Sequence, residues 1–478
     1  MKRWMLWIKS EPTMDLHLNK AIESAKQRSA APIVSRVLRD GTIIETVYEP
    51  ASAETRFVVW KGDNWSFEKA FTVNDRRRLI PYSPDNNLIK NEVVLLPSEP
   101  EEYGSQAELI GEIESFIKRF VDVGPLFQKI ACYYVLLSWI YDAFNELPYL
   151  RLRGDPGCGK TRFLLTVGSL CYKPIFASGA STVSPLFRII DTFRGTLIID
   201  EGDFRMSDER AEIVKILNNG NAKGFPVLRS EVTPKKEFNP TAYTVFGPKL
   251  VATRGPFEDR ALESRCLTEE MGQQHLRDDI PINLPSEYKE QALHLRNKLL
   301  LFRFRNLHLV KTSEALVDRA IAPRLNQVFV PLLSIIDDED ARAQMRELAR
   351  RYNQEMIIDR AMDHEARVLE IIRELGASGE AKLSMKEITL RFAERHQEEY
   401  DRKVTPKWIG NLIRRRLNLR THKSNGVFVI PPEEQPKLAY LYEKYGISKV
   451  AEPQTAASAI NPQGGDAGDT GDVERLFD

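Results

Sequence analysis

Between residues 30 and 96 the chain alternates apolar and polar positions over short runs broken by turn residues. Ile33–Leu38 and Thr42–Tyr48 flank Arg39-Asp40-Gly41, and Phe57–Lys61 and Trp65–Phe71 flank Gly62-Asp63-Asn64. Both pairs predict β-hairpins. Trp60, Trp65, Phe67 and Phe71 lie on these strands and fit the core of a small sheet, with base stacking as the alternative. Arg76-Arg77-Arg78 reads as a solvated loop, and Pro97–Glu102 as a linker.

The period then lengthens. Ser105 and Glu108 have capping-box spacing ahead of a helix with apolar Leu109, Ile113, Phe116, Ile117 and Phe120. Leu126–Phe144 follows as a buried helix. From about 128 to 336 strand-like and helix-like segments alternate: strands at Tyr149–Arg153, Pro174–Ser178, Thr196–Ile199 and Lys249–Thr253, helices at Arg162–Leu170, Pro185–Phe193 and Glu209–Asn218. That order predicts an α/β domain on a parallel sheet. Gly224–Phe246 reads as a hairpin with Pro234-Lys235-Lys236 at its tip. Farther on, Ala366–Leu375, Ser384–His396 and Thr405–Leu417 are three helices, and Arg420–Ile430 forms two short strands around Ser424-Asn425-Gly426. Three helices and a hairpin are the order of a winged helix-turn-helix. From Ala451 the chain is low in complexity and acidic, a composition that does not fold alone.

The expected domains are a β-rich segment at 1–96, an ATPase domain with a helical lid at 105–350, a winged helix at 360–447 and a disordered tail at 448–478. Apolar content is 42%, charged content 28% and formal net charge zero, so nucleic-acid contact has to come from local patches. One patch stands out. Arg402, Lys403, Lys407, Arg414, Arg415, Arg416, Arg420 and Lys423 fall between Asp401 and Asn425 with Asp401 the single acid, which suits phosphate contacts. The four cysteines are scattered without a zinc or disulfide spacing, which points to a reducing cytoplasmic setting. The start lacks the apolar stretch of a signal peptide, and the most apolar run, Ile130–Ile140, is too short to span a bilayer.

The most specific chemistry is Gly154-Asp155-Pro156-Gly157-Cys158-Gly159-Lys160-Thr161, a complete G-x-x-x-x-G-K-[ST] loop between a predicted strand and helix. Its glycines let backbone N–H groups turn around a phosphate, Lys160 reaches the outer phosphates and Thr161 offers a hydroxyl to Mg²⁺, with the helix N-terminus behind them. About forty residues later the apolar strand Thr196-Leu197-Ile198-Ile199 ends in Asp200-Glu201. Asp200 there serves the Mg²⁺ shell, and Glu201 can orient a water for attack on the γ-phosphate of ATP. A further strand between the loop and this acidic strand matches the additional-strand class of NTPases.

Beyond Glu201, a helix, a basic-tipped hairpin, the strand ending at Thr253 and Leu262-Glu263-Ser264-Arg265-Cys266-Leu267 come in an order that resembles the AAA+ ATPases. Within them it resembles the branch of minichromosome-maintenance and superfamily 3 replicative helicases of viruses and mobile elements. The resemblance implies that Thr253 is the sensor 1 residue and Arg265 the arginine finger acting on a neighbouring subunit. It implies that Lys235 and Lys236 grip single-stranded DNA in a central pore. Arg324, in Pro323-Arg324-Leu325-Asn326, is the candidate for sensor 2, with Arg319 as competitor. It also implies a homo-oligomeric ring, a hexamer, and a C-terminal winged helix that meets duplex or forked DNA through Lys407, Arg414, Arg415, Arg420 and Lys423. Thr253 stands where Asn is common, and the N-terminal segment lacks the zinc-binding cysteines of many such helicases. The expected function is a DNA helicase in replication of a mobile element, virus or plasmid; an AAA+ initiator or helicase loader shares every ATPase motif. Leu476-Phe477 at the tip of the tail is similar to a docking peptide for a sliding clamp.

Overall fold

The computed structural model describes residues 30–73, 77–201, 208–230, 239–273, 275–361, 363–378, 383–397, 403–424 and 426–447. They fall into two units, 1–353 and 354–478. The hairpin tip with Lys235 and Lys236, and the acidic tail with Leu476-Phe477, lie outside the described residues.

The first unit begins with β1 (Ala30–Ile33), β2 (Ser35–Val37), β3 (Ile43–Glu49), β4 (Glu54–Lys61), β5 (Asn64–Glu68), β6 (Phe71–Thr72) and β7 (Arg78–Pro81). β2 to β5 make an antiparallel sheet in chain order, and β1, β7 and β6 a small mixed one, β1 parallel and β6 antiparallel to β7. The expected strand Ile33–Leu38 breaks at Val34. The chain changes sheets there, β1 pairing with β7 and β2 with β3, while the Val34 side chain is buried in the main core. The β4–β5 hairpin closes through Gly62 and Asp63, both at positive φ, as a two-residue loop of this twist requires. Of the aromatics, Trp60 is buried and stacks on Phe304 with ring centroids 5.4 Å apart, Phe67 and Phe71 are half-buried, and Trp65 is 39% exposed at the sheet edge.

Three helices lead to the main sheet: α1 (Asn87–Lys90), α2 (Gln106–Phe120) and α3 (Pro125–Trp139). Ser105 and Glu108 form the expected capping box on α2. The following elements alternate: β8 (Tyr149–Arg153), α4 (Lys160–Leu170), β9 (Ile175–Ser178), α5 (Val183–Phe193), β10 (Leu197–Asp200) and α6 (Asp208–Asn219). A hairpin stem of β11 (Val227–Arg229) and β12 (Thr241–Tyr243) precedes β13 (Lys249–Thr253), α7 (Arg260–Glu263) and β14 (Cys266–Glu270). The strand order is β14-β8-β13-β10-β9, with every pairing parallel. β13 thus sits between the loop strand β8 and the acidic strand β10. Their apolar faces pack with α5, α6 and residues of the N-terminal segment in one core.

α8 (Tyr288–Asn306), α9 (Pro323–Leu333) and α10 (Glu339–Ala361) complete the helical part. α8 corrects the linker expectation for Pro97–Glu102. Asn297 on α8 accepts from the Ser98 amide at 2.9 Å and donates to Glu101 at 2.6 Å, while Arg305 pairs with Glu102 and holds that carboxyl down at about 2. The segment is a strap laid along a helix. α8 also carries Arg303, which is 1% exposed and donates to Glu45 of β3 at 2.9 Å and to both oxygens of Asp142 at 2.8 and 2.7 Å. Lys173 joins the same cluster, 2.8 Å from Glu45.

The second unit consists of α11 (His364–Ala377), β15 (Leu383–Ser384), α12 (Met385–His396), α13 (Pro406–Asn411), β16 (His422–Ser424), β17 (Val427–Ile430) and α14 (Gln435–Lys444). Its sheet order is β15-β17-β16. The third helix departs from the sequence expectation. α13 ends at Asn411 and continues as a π-helical turn over Leu412–Arg416, a form that occurs mostly as single turns, often at functional sites.

Candidate functional site

β8 ends at Arg153 and the chain turns at once through Gly154 (φ 152°), Gly157 (φ 84°) and Gly159 (φ 96°) into α4. The left-handed values at Gly157 and Gly159 explain why glycine stands there. Gly154 has a second reason, since a Cβ on it would lie 2.6 Å from the Met271 carbonyl oxygen. The helix begins at Lys160, two residues earlier than expected, so Lys160 and Thr161 form its first turn. Lys160 Nζ donates to the carbonyls of Gly154 at 2.6 Å and Asp155 at 2.7 Å.

Parallel pairing brings the ends of β8, β13 and β10 together at the loop. Thr161 Oγ1 donates to Asp200 Oδ2 at 2.6 Å. Glu201 is exposed and has a φ of 54°, strained for a residue with a side chain. Its amide donates to Asp200 Oδ1 at 2.9 Å, and Gly179 lies so close that a Cβ there would stand 2.2 Å from the Glu201 carbonyl oxygen. Thr253 is 2% exposed, and its Oγ1 is without a hydrogen-bond partner. A cavity of about 310 Å³ gathers these groups: Pro156, Gly157, Gly159, Lys160 and Thr161 from the loop, Asp200 and Glu201 from β10, and Ala252, Thr253 and Arg254 from β13. A loop of this geometry can wrap a polyphosphate, and the adjoining carboxylates can hold a cation and a water. Arg254 lines the cavity without matching any sequence motif. Its only signal is that it follows the strand residue Thr253.

Arg265 is elsewhere. β14 runs beside β8 with Cys266 opposite Tyr149 and Glu270 opposite Arg153. Arg265 therefore sits at the amino edge of the sheet, a full strand away from the loop that follows Arg153. Five residues of strand are about 16 Å, farther than its side chain extends. The residue is 8% exposed; one guanidinium nitrogen donates to Asn218 Oδ1 and to the Ala261 carbonyl, both at 2.5 Å, and Nε is without a partner. Burial, and next the charge of Arg324 nearby, lower its pKa. Neither arginine makes an ion pair among the described residues. Arg324 is half-buried in the first turn of α9, on the Arg265 side, and Arg319 is exposed. Ahead of Arg265, Glu263 is clamped by both outer nitrogens of buried Arg151 on β8 and accepts from the Phe257 amide at 2.9 Å. This anchor carries no local sequence signal, because its partners are 112 residues apart.

In the second unit Lys407, Arg414, Arg415, Arg420 and Lys423 are all exposed. Arg414 lies over the exposed Phe428 ring at 5.8 Å and within 3.4 Å of the Thr421 hydroxyl. Arg420 is 3.9 Å from Glu434. Among the described residues there is no cluster of metal-ligating side chains of the His/Cys/Asp/Glu kind and no helix long and apolar enough to cross a membrane.

The phosphate loop, the parallel sheet with its inserted strand and the acidic strand end define a P-loop domain of AAA+-like architecture. No protein-family profile and no curated protein matches the chain. Solved structures similar to it include the apo C-terminal region of NrS-1, with 12% identity, TM-score 0.34 and coverage of 81% of this chain and 96% of that one. Another is the SCCmec type IV Cch active helicase, with 10% identity, TM-score 0.37 and coverage of 89% and 84%. A full-length MCM homolog from Methanopyrus kandleri has 12% identity, TM-score 0.33 and coverage of 67% and 76%. At these scores the likenesses bear no weight, and the architecture rests on the strand order and the loop.

Proposed function

We propose that the chain is an ATP hydrolase that works as a homo-oligomeric ring, a hexamer, and drives unwinding of DNA in the replication of a mobile element, virus or plasmid. One observation carries this reading. The phosphate-loop cavity is at one end of the sheet's strands, while at the other are buried Arg265 and half-buried Arg324, neither of which makes an ion pair among the described residues. Buried cations without counter-charges are costly unless an anion completes them. A triphosphate held by a neighbouring copy is that anion, and each ring interface would combine one subunit's loop with the next subunit's Arg265 and Arg324. Closure into a ring gives every site a neighbour.

In this reading the loop amides and Lys160 bind the phosphates. Thr161 and Asp200 converge as hard oxygen donors, a set that fits Mg²⁺, which when bound would neutralise phosphate charge. Glu201 orients the attacking water, and the unpartnered Thr253 hydroxyl helps to hold it. Arg265 and Arg324 stabilise the charge that develops on the transferred phosphoryl group. The β11–β12 stem leads directly into β13 and its terminal Thr253, so movement at the site reaches the hairpin whose Lys235 and Lys236 are proposed to grip a single strand. The second unit is proposed to be a winged helix that meets duplex DNA through Lys407, Arg414, Arg415, Arg420 and Lys423. A loader or initiator would share the ATPase geometry, and strand displacement separates the two.

Mixing tests the interface. Arg265→Ala chains and Lys160→Ala chains are each expected to be inactive, and together to regain ATP hydrolysis. If labelled subunits demonstrably exchange and no activity returns, the reading of Arg265 is wrong.

A further inference from the structure

Arg265 has to reach another chain's phosphate on the reading above, yet it is 8% exposed and turned inward. A phosphate oxygen cannot approach a guanidinium in that state without the side chain first moving. Two acceptors hold one of its nitrogens inward: the Ala261 carbonyl, and Asn218 in the last turn of α6. Its Oδ1 accepts from Arg265 at 2.5 Å, and its Nδ2 donates to Asp259 Oδ2 at 2.6 Å. Asp259 in turn caps α7, the short helix leading to Arg265, through the amides of Ala261 at 2.8 Å and Leu262 at 3.1 Å. The amide of Asn218 thus uses both ends, one on the arginine and one on the cap of the helix that presents it.

Two further observations separate a latch from ordinary packing. The held group is a buried cation beside a second cation, Arg324; Asp259 is the carboxylate nearby but makes no ion pair with it, and the Arg265 Nε is unpartnered, so donor capacity is left for an anion that comes closer. The helix bearing Asn218 is firmly seated, because Ile213, Ile216 and Leu217 fill the main core and the Leu217 carbonyl accepts from Tyr149 OH at 2.6 Å. A fixed holder grips a poorly satisfied charge, and that arrangement favours release when a stronger anion arrives.

We propose that Asn218 is a positioning residue that keeps Arg265 withdrawn in the unassembled chain and yields it to a neighbour's triphosphate on assembly. The proposal rests on Arg265 acting in trans. Asn218 itself touches no nucleotide; its role is to set how readily an interface becomes active.

The test measures delivery of Arg265 alone. Lys160→Ala chains, which cannot use their own site, are titrated as donors into Arg265→Ala acceptors, and ATP hydrolysis is followed against donor concentration. If donors with Asn218 intact give no activity, it is the trans reading that has failed. Given activity, adding Asn218→Ala to the donor is expected to lower the half-maximal donor concentration on the order of tenfold, the worth of a hydrogen bond to a charged group, with the maximal rate unchanged. Asn218→Ser, which keeps a hydroxyl acceptor, is expected to give a smaller shift in the same direction, and it carries the test if Asn218→Ala does not fold. An unchanged half-maximal concentration, or a lower maximal rate at unaltered donor melting temperature, would overturn the latch.

Discussion

Replacing Arg303 by Met removes the central cation of the cluster that ties β3 to the P-loop core and α8. Arg303 donates to Glu45 at 2.9 Å, to Asp142 at 2.8 and 2.7 Å and to the Trp139 carbonyl at 2.6 Å. Breaking a buried ion pair by removing one partner costs about 3–5 kcal/mol. Two features pull the expected value to the low end. Lys173 still faces Glu45 at 2.8 Å, and the Asp142 side chain, 31% exposed, can rehydrate. The expected loss is therefore about 3 kcal/mol, or a fall in melting temperature of roughly 4 °C for a unit of this size. Tryptophan fluorescence during thermal and urea unfolding reads it directly, because Trp60 stacks on the α8 ring of Phe304. A cycle with Glu45→Gln is expected to be non-additive by about 1 kcal/mol or more. A loss below about 1 kcal/mol, or strict additivity, would refute the claim that the cluster holds the N-terminal sheet in place.

Gly179→Ala is expected to leave ATP binding intact and slow hydrolysis on the order of a hundredfold, because the added Cβ would stand 2.2 Å from the Glu201 carbonyl oxygen; single-turnover rates at saturating ATP check it. Lys249 is fully buried with its ammonium on three carbonyls, and burial pushes it down to about 7. Its folded pKa lies below its unfolded one, so the unfolded chain binds the extra proton between about 7 and 10.5. Stability relative to Lys249→Met should then rise with pH across that window, by up to about 1.4 kcal/mol per pH unit, and urea midpoints at pH 6.5 and 9 test the sign. A chain ending at Ala361 is expected to hydrolyse ATP but to bind duplex DNA with a salt slope smaller by about 4, as the five exposed cations proposed to meet DNA, Lys407, Arg414, Arg415, Arg420 and Lys423, go with the second unit.

Those parts of the site that are continuous in the chain were legible in the sequence. Gly154–Thr161, Asp200-Glu201 and Thr253 each sit where a strand gives way to a loop, so local pattern places them, and parallel pairing then brings them together. What depends on distant partners was not legible. Pro97–Glu102 has the composition of a linker, yet Asn297, some two hundred residues on, satisfies its backbone. Nothing near Arg265 announces that Asn218 and Arg324 surround it, and nothing in Thr405–Leu417 marks the change to a π turn at Leu412. Arg254 carries no signal of its own, because a charged residue after a strand is common, and the cavity shows where it lies.

Strand displacement from a forked duplex tests the central claim most directly. The wild-type chain with ATP and Mg²⁺ is expected to release the displaced strand, and Glu201→Gln is expected to bind ATP and DNA yet release none. Hydrolysis of ATP by the wild-type chain on forks of either tail polarity, with no strand released, would contradict the helicase reading and leave the loader or initiator in its place.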